Sequence, residues 1–174
     1  MELKLLNLIQ NMRTPILDAG MRFITGLGDA GILWILLTVV LLLLPRTRKC
    51  GAVMAVALCV NAFSCNLILK PLFGRMRPFE VNPAVQLLIR KPLDFSFPSG
   101  HTAASFAAVT ALFCSGEKRL WKICLIPAVL IAFSRLYLYV HYPTDVLGGI
   151  AVGILSGIIG YRLVELVLHH KKKI

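Results

Sequence analysis

Five apolar runs separated by polar connections, one long and the others short, limit this chain to few architectures. The first, opened by Gly28-Asp29-Ala30-Gly31, ends at Leu44; the others cover residues 50–69, 99–114, 120–140 and 143–168. Each is near the length that crosses a hydrocarbon layer as a helix. A backbone in that layer must satisfy its own polar groups, and runs without alternation do so as helices. Of the 174 residues, 57% are hydrophobic and 16% charged, with a mean hydropathy of +0.78. A soluble domain of this size has no interior large enough for that apolar surface. The expected fold is all-α, a polytopic transmembrane helical bundle of five spans plus N-terminal amphipathic surface helices. It forms one domain over residues 1–174, with an interfacial region over 1–27 and the bundle over 29–168.

The N-terminal region differs in pattern. Leu3, Leu5, Leu6, Leu8, Ile9 and Met12 alternate with Lys4, Asn7, Gln10, Asn11 and Arg13. That is an amphipathic helix for a membrane surface. After Pro15, residues 16–27 repeat the character. Crossing with this segment would bury Arg13, Asp18 and Arg22, each costing about 2.5–3.5 kcal/mol at mid-bilayer, so no sixth span is expected. No cleavable signal peptide is expected either, because residues 1–28 lack a basic start followed by a clean apolar block.

A formal net charge of +11 would suggest nucleic acid in a soluble protein. In a membrane protein, positive short loops set orientation instead, and no nucleic-acid partner is expected. Arg46, Arg48 and Lys49, then Lys118, Arg119 and Lys122, then Lys171–Lys173 all fall on one side of the five-span arrangement. That side, with the C-terminus, should be cytoplasmic. The five cysteines are scattered, with neither a disulfide framework nor a zinc spacing.

The chemistry-bearing residues all fall on the opposite side. Lys70 is followed after six residues by Arg77-Pro78. Pro98-Ser99-Gly100-His101 opens the third span, with Ser99 at an expected N-cap. Ser134-Arg135 is followed after five residues by His141 and after three more by Asp145. A helix N-terminus attracts anions. Histidine moves protons near neutral pH. Asp145, four residues after His141, can accept its Nδ1–H and leave Nε2 free as a nucleophile. His101 then serves as the acid for the departing oxygen. Lys70, Arg77, Arg135 and the amides of Ser99 and Gly100 would neutralise phosphoryl oxygens.

Each residue has an ordinary reading too. A lone arginine at a helix end snorkels, a lone histidine packs, and Asp145 caps the last helix. Glu80, Arg90, Lys91 and Asp94 in the long connection over residues 70–97 are candidates for head-group choice, although solvated charge is their ordinary role. Taken together on one face, the motif residues favour phosphate chemistry.

These motifs resemble those of the type 2 phosphatidic acid phosphatase family. That family is the membrane branch of a superfamily including vanadium-dependent haloperoxidases and bacterial acid phosphatases. The match covers Lys70, Arg77, Pro78, Pro98, Ser99, Gly100, His101, Ser134, Arg135, His141 and Asp145 without a departure. The resemblance implies a phosphatase needing no metal or other cofactor. His141 would be its nucleophile, His101 its general acid and Asp145 the residue orienting His141. Lys70, Arg77, Ser99, Gly100 and Arg135 would hold phosphate. Many members have six spans, one more than expected here. Compact bacterial members are often undecaprenyl-diphosphate or phosphatidylglycerophosphate phosphatases. The leading expectation is a cell-membrane lipid phosphatase with an extracytoplasmic site, undecaprenyl diphosphate being favoured. The alternatives are a phosphatidylglycerophosphate or phosphatidic acid phosphatase, a lipid phosphotransferase, and a non-catalytic membrane protein with a phosphate-like pocket.

Overall fold

The computed structural model describes residues 1–171. Lys172 and Lys173, two of the terminal basic residues, lie outside them. Two helices, α1 (Glu2–Gln10) and α2 (Pro15–Leu27), precede a tight turn over Asp29–Gly31 and α3 (Ile32–Leu43). Next comes α4 (Arg48–Ala62), which continues through a π-helical stretch (Phe63–Leu69) into the short α5 (Lys70–Phe73). The short α6 (Pro78–Val81) stands in the long connection, followed by α7 (Gly100–Cys114), α8 (Leu120–Tyr137) and α9 (Pro143–Lys171).

The run beginning with α4, together with α8 and α9, comprises the described helices long and apolar enough to cross a membrane. Helices α2 and α3 are bent by 45° and satisfy the same criterion as a pair; α7 is apolar but shorter. With many apolar side chains exposed along these helices, the chain is a membrane protein of helical type.

Helix α7 is the central packing element, held between α8, α9 and α4. Its alanines and the glycines of α9 make that possible, since small residues let two backbones approach closely. Ala103, Ala107 and Ala108 are fully buried. A Cβ on Gly153 would stand 2.4 Å from the Ala103 carbonyl, so that position admits no side chain without displacing α7. Trp34 on α3 donates its indole N–H to Ser105 on α7 at 2.9 Å, locking the first apolar helix onto the same core. Lys49 at the start of α4 pairs with Glu165 late in α9. The basic turn before α4 and the end of α9 therefore share one end of the bundle.

The N-terminal helices do more than lie along a surface. Leu6 and Ile9 of α1 are buried against Phe79, Tyr137, Tyr139 and Val140. Gln10 donates to the Tyr137 carbonyl at 2.8 Å, and Tyr139 donates its hydroxyl to Asn7 Oδ1 at 2.7 Å. The amphipathic pattern was legible, but its apolar face is covered by protein. The charges that argued against crossing are partly satisfied within the fold: Arg13, just before α2, grips Asp18 at 3.0 and 3.1 Å, and the Tyr137 hydroxyl donates to Asp18 at 2.7 Å.

Candidate active site

A cavity of about 450 Å³ opens at the end of the bundle away from Lys49 and Glu165. Six of the eight residues singled out in the sequence line it: Lys70, Arg77, Gly100, His101, Arg135 and His141. Ser99 and Asp145 are fully buried behind its wall.

Each element delivers its residue for a local reason. The π-helical stretch shifts the register after α4 and sets Lys70 at the start of α5. Such bulges tend to mark functional positions. Lys70 is buried, with Nζ only 3.6 Å from where a Gly100 Cβ would stand. Arg77 is the extended residue before α6, and Glu80 accepts from its backbone N–H at 2.6 Å. Glu80, a candidate for head-group choice in the sequence, thus caps a helix.

The Arg77 side chain is the hub of the cavity. Its Nε donates to the Asp94 carbonyl at 2.8 Å, Nη1 to the Val140 carbonyl at 2.7 Å, and Nη2 to Asp94 Oδ1 at 2.6 Å. Nη1 also lies 3.3 Å from His141 Nε2.

His141 sits in the connection between α8 and α9, next to Tyr139, whose φ of +61° is left-handed. A non-glycine residue held there costs of order 1–3 kcal/mol and needs support from its surroundings. Asn7 and Asn82 supply it at the tyrosine hydroxyl.

Asp145 occupies the third position of α9 and accepts the Tyr142 amide at 2.8 Å, the capping role that was its ordinary reading. The same Oδ2 accepts the Ser96 hydroxyl at 2.5 Å, and Oδ1 accepts Arg75 Nη1 at 2.6 Å. His141 Nδ1 is 3.4 Å from Asp145 Oδ2, without an aligned hydrogen bond among the described residues. Two cations face the imidazole as well. Burial, with Arg77 and Arg135 adding to it and Asp145 opposing, lowers the His141 pKa to about 3. The ring is neutral at working pH. With Arg77 on Nε2, the tautomer consistent with these contacts carries its proton on Nδ1 and a lone pair on Nε2.

Ser99 stands at the N-cap of α7, but its side chain does not cap that helix. Its amide donates to the Asp145 carbonyl at 3.0 Å, and its hydroxyl accepts from Thr102 at 3.0 Å. The Ser99 amide is therefore engaged, leaving its hydroxyl hydrogen and the Gly100 amide at the helix start. Arg135 does not snorkel. It is buried, gives Nη1 to Thr25 at 2.5 Å, and has an Nε with no partner among the described residues. A buried guanidinium N–H beside a cavity is a strong donor for an anion.

The PAP2 superfamily model matches residues 47–167, which contain every motif residue. The chain belongs to the PAP2 superfamily. It is 35% identical to an undecaprenyl-diphosphatase of Sulfolobus acidocaldarius over 151 residues, 86% of this chain and 72% of that one. The crystal structure of Aquifex aeolicus LpxE superimposes with a TM-score of 0.78 at 34% identity, covering 92% of this chain and 94% of that one. A transmembrane PAP2-type phosphatidylglycerolphosphate phosphatase from Bacillus subtilis superimposes with a TM-score of 0.72 at 28% identity, over 99% and 85%. As a PAP2 protein this chain is a membrane lipid phosphatase of a metal-independent family.

Around the PAP2 motifs, Arg75, Glu2, Thr25 and Asp29 were not singled out as functional in the sequence, whereas Asp94, Arg90 and Lys91 were candidates for head-group choice. Arg75 joins Glu2 of α1 at 2.6 Å to Asp145, and stacks over the Tyr142 ring at 4.0 Å. Its place inside the Lys70–Arg77 interval was the available signal. Asp94 pairs with both Lys70 and Arg77. Burial disfavours its charge, but the Lys70 ammonium and the Arg77 guanidinium bring its pKa to about 2. Arg90 and Lys91 line the same cavity. Asp29 accepts or shares a proton with His101 Nε2 at 2.9 Å. Thr25, Asp29 and Glu2 precede the matched region, so no family motif pointed to them.

Proposed function

We propose that this chain removes the terminal phosphate of a lipid phosphate or diphosphate through a phosphohistidine on His141. The observation that carries this reading is the pairing of a neutral, buried His141 with a cation-lined cavity. Its Nε2 lies 3.3 Å from Arg77, and Arg135 holds an unpartnered N–H beside the same space.

The phosphoryl group sits among Lys70, Arg77, Arg135 and the Gly100 amide, with the Ser99 hydroxyl behind them. These donors stabilise the charge on the transferring group. His141 Nε2 forms the bond to phosphorus as the bond to the lipid oxygen breaks, and His101 gives that oxygen its proton. Positive charge on His141 is balanced by Asp145, 3.4 Å from Nδ1. Water then attacks the phosphohistidine, surrenders its proton to His101, and inorganic phosphate leaves. The roles of all eight residues named in the sequence belong to this proposal.

Five spans, α3, the α4 run, α7, α8 and α9, fit the alternation of basic turns. The basic turn before α4 lies at the end of the bundle opposite the cavity, which supports an extracytoplasmic site and a cytoplasmic C-terminus. A lipid substrate can keep its tail in the bilayer while its phosphate enters that mouth. Undecaprenyl diphosphate is the favoured substrate, supported by the relative from Sulfolobus acidocaldarius. A phosphatidylglycerophosphate is the second reading, supported by the Bacillus subtilis structure.

Phosphate release from a panel of detergent-solubilised lipid phosphates, with EDTA present, tests this reading. The expected result is highest kcat/KM on polyprenyl diphosphate, undiminished by EDTA. Preference for a glycerophospholipid would move the assignment to the second substrate, and no release from any lipid would reject the function.

A further inference from the structure

The turn before α3 is built around His101. Gly28 lies so close that a Cβ there would stand 2.7 Å from His101 Cδ2 and 2.9 Å from Ile131 Cγ2. Ala30 and Gly31 follow in left-handed conformations, at φ +50° and +71°, which bends the chain immediately after Asp29. The bend leaves the Asp29 carboxylate at the cavity rim, with Oδ1 2.9 Å from His101 Nε2.

We propose that Asp29 is the positioning residue of the general acid, holding His101 by Nε2 so that Nδ1–H is the proton delivered to the leaving oxygen. This rests on the role given to His101 under the proposed function.

The need for such a partner follows from the surrounding charge. Lys70 from α5 and Arg135 from α8 line the same cavity as the imidazole and place two positive charges around it. Asp29 is the carboxylate bonded to it, while Asp94 is engaged by Lys70 and Arg77. An acid must carry its proton at working pH and point it at the oxygen that departs. The Asp29 contact serves both ends. It favours the imidazolium, and it fixes which nitrogen faces the substrate. When the P–O bond breaks, the proton passes from Nδ1 to the lipid oxygen. When water attacks the phosphohistidine, the proton returns to Nδ1, and Asp29 keeps its bond throughout. Asp29 is 69% exposed, so its influence on the imidazole is moderated by water.

The test compares Asp29→Asn, Asp29→Glu and His101→Gln in purified enzyme on two lipid-tailed substrates. One is an alkyl phosphate, whose leaving oxygen needs a proton. The other is a nitrophenyl phosphate, whose leaving oxygen does not. Because kcat/KM reports the step in which the leaving oxygen departs and not the later attack by water, Asp29→Asn is expected to lower kcat/KM on the alkyl phosphate about 10- to 100-fold and that on the nitrophenyl phosphate by less than about threefold. The alkaline limb of its pH profile should move to lower pH, because the unpaired imidazolium loses its proton more easily. Asp29→Glu should restore most of the alkyl rate. Nitrophenyl turnover also reports that each variant is folded.

Equal losses on both substrates, or an unchanged alkyl rate and pH limb, would overturn the role of Asp29. Full alkyl activity in His101→Gln would instead overturn the general-acid role of His101, a separate failure.

Discussion

Arg77 Nη2 lies 2.6 Å from Asp94 Oδ1, and the other oxygen of that carboxylate pairs with Lys70. Two of the cations assigned to phosphate thus share one loop carboxylate. Asp94 stays charged at any working pH, since its pKa lies at about 2. Phosphate entering the cavity must exchange places with it at those donors.

Asp94→Asn should therefore tighten product binding. Removing one half-exposed charge is expected to lower the inhibition constant of inorganic phosphate about three- to tenfold, a modest change because water screens the pair. Competitive inhibition of lipid phosphate hydrolysis measures it. Weaker inhibition by phosphate would mean that Asp94 supports the anion rather than competing with it.

Arg75 links α1 to Asp145 through Glu2, and Arg75→Ala leaves the buried Asp145 with Ser96 and Tyr142 as its donors among the described residues. Losing a hydrogen bond to a charged group costs about 1.5–3 kcal/mol. A lower thermal midpoint in detergent is expected, together with a reduced kcat. Arg75→Lys should recover part of both. An unchanged midpoint in the alanine variant would show that the Glu2–Arg75–Asp145 chain carries little stability.

Helix spacing predicts a contrast between two glycines. Gly153→Ala meets the Ala103 carbonyl at 2.4 Å, and such overpacking costs about 1–3 kcal/mol. Gly26→Ala on α2 meets nothing within 4 Å and should be neutral or stabilising by up to about 1 kcal/mol. Because α7 also carries His101, the first change should reduce activity as well as the thermal midpoint. Equal midpoints for the two variants would contradict the close approach of α7 and α9.

The depressed pKa of His141 makes stability depend on pH with a definite sign. Unfolded, this histidine takes a proton near 6.5; folded, it resists until about 3. The unfolded state binds more protons between those values, so stability falls as pH drops from about 6.5 towards 3. Asp94, at 3.8 unfolded and about 2 folded, adds a further loss below about 3.8. Thermal midpoints across pH should show the decline, with a shallower slope in His141→Asn. An identical slope in that variant would remove His141 as its source.

The sequence and the fold agree where the signal is local. Apolar runs located the helices. The three motifs named the residues that converge on one end of the bundle. What stayed hidden depends on distant parts of the chain meeting. Leu6 and Ile9 looked like a membrane face because nothing in residues 1–13 encodes contact with Tyr137 or Tyr139. Asp94 read as a candidate for head-group choice or as solvated charge, and not as the partner of Lys70, which lies 24 residues away. Asp29 read as the opening of a span, since only the folded turn sets its carboxylate on His101. Ser99 is the N-cap residue of α7 as expected, but only the folded structure shows that its hydroxyl accepts from Thr102 instead of capping the helix.

The central claim is that phosphate passes through His141, and the stereochemical course at phosphorus tests it most directly. A lipid diphosphate ending in a chiral thiophosphate labelled with one heavy oxygen isotope is hydrolysed in water carrying a second. The configuration of the released thiophosphate is then read. Two in-line displacements, onto His141 and then onto water, predict overall retention. Inversion would mean that water attacks the lipid phosphate directly, and would contradict the phosphohistidine.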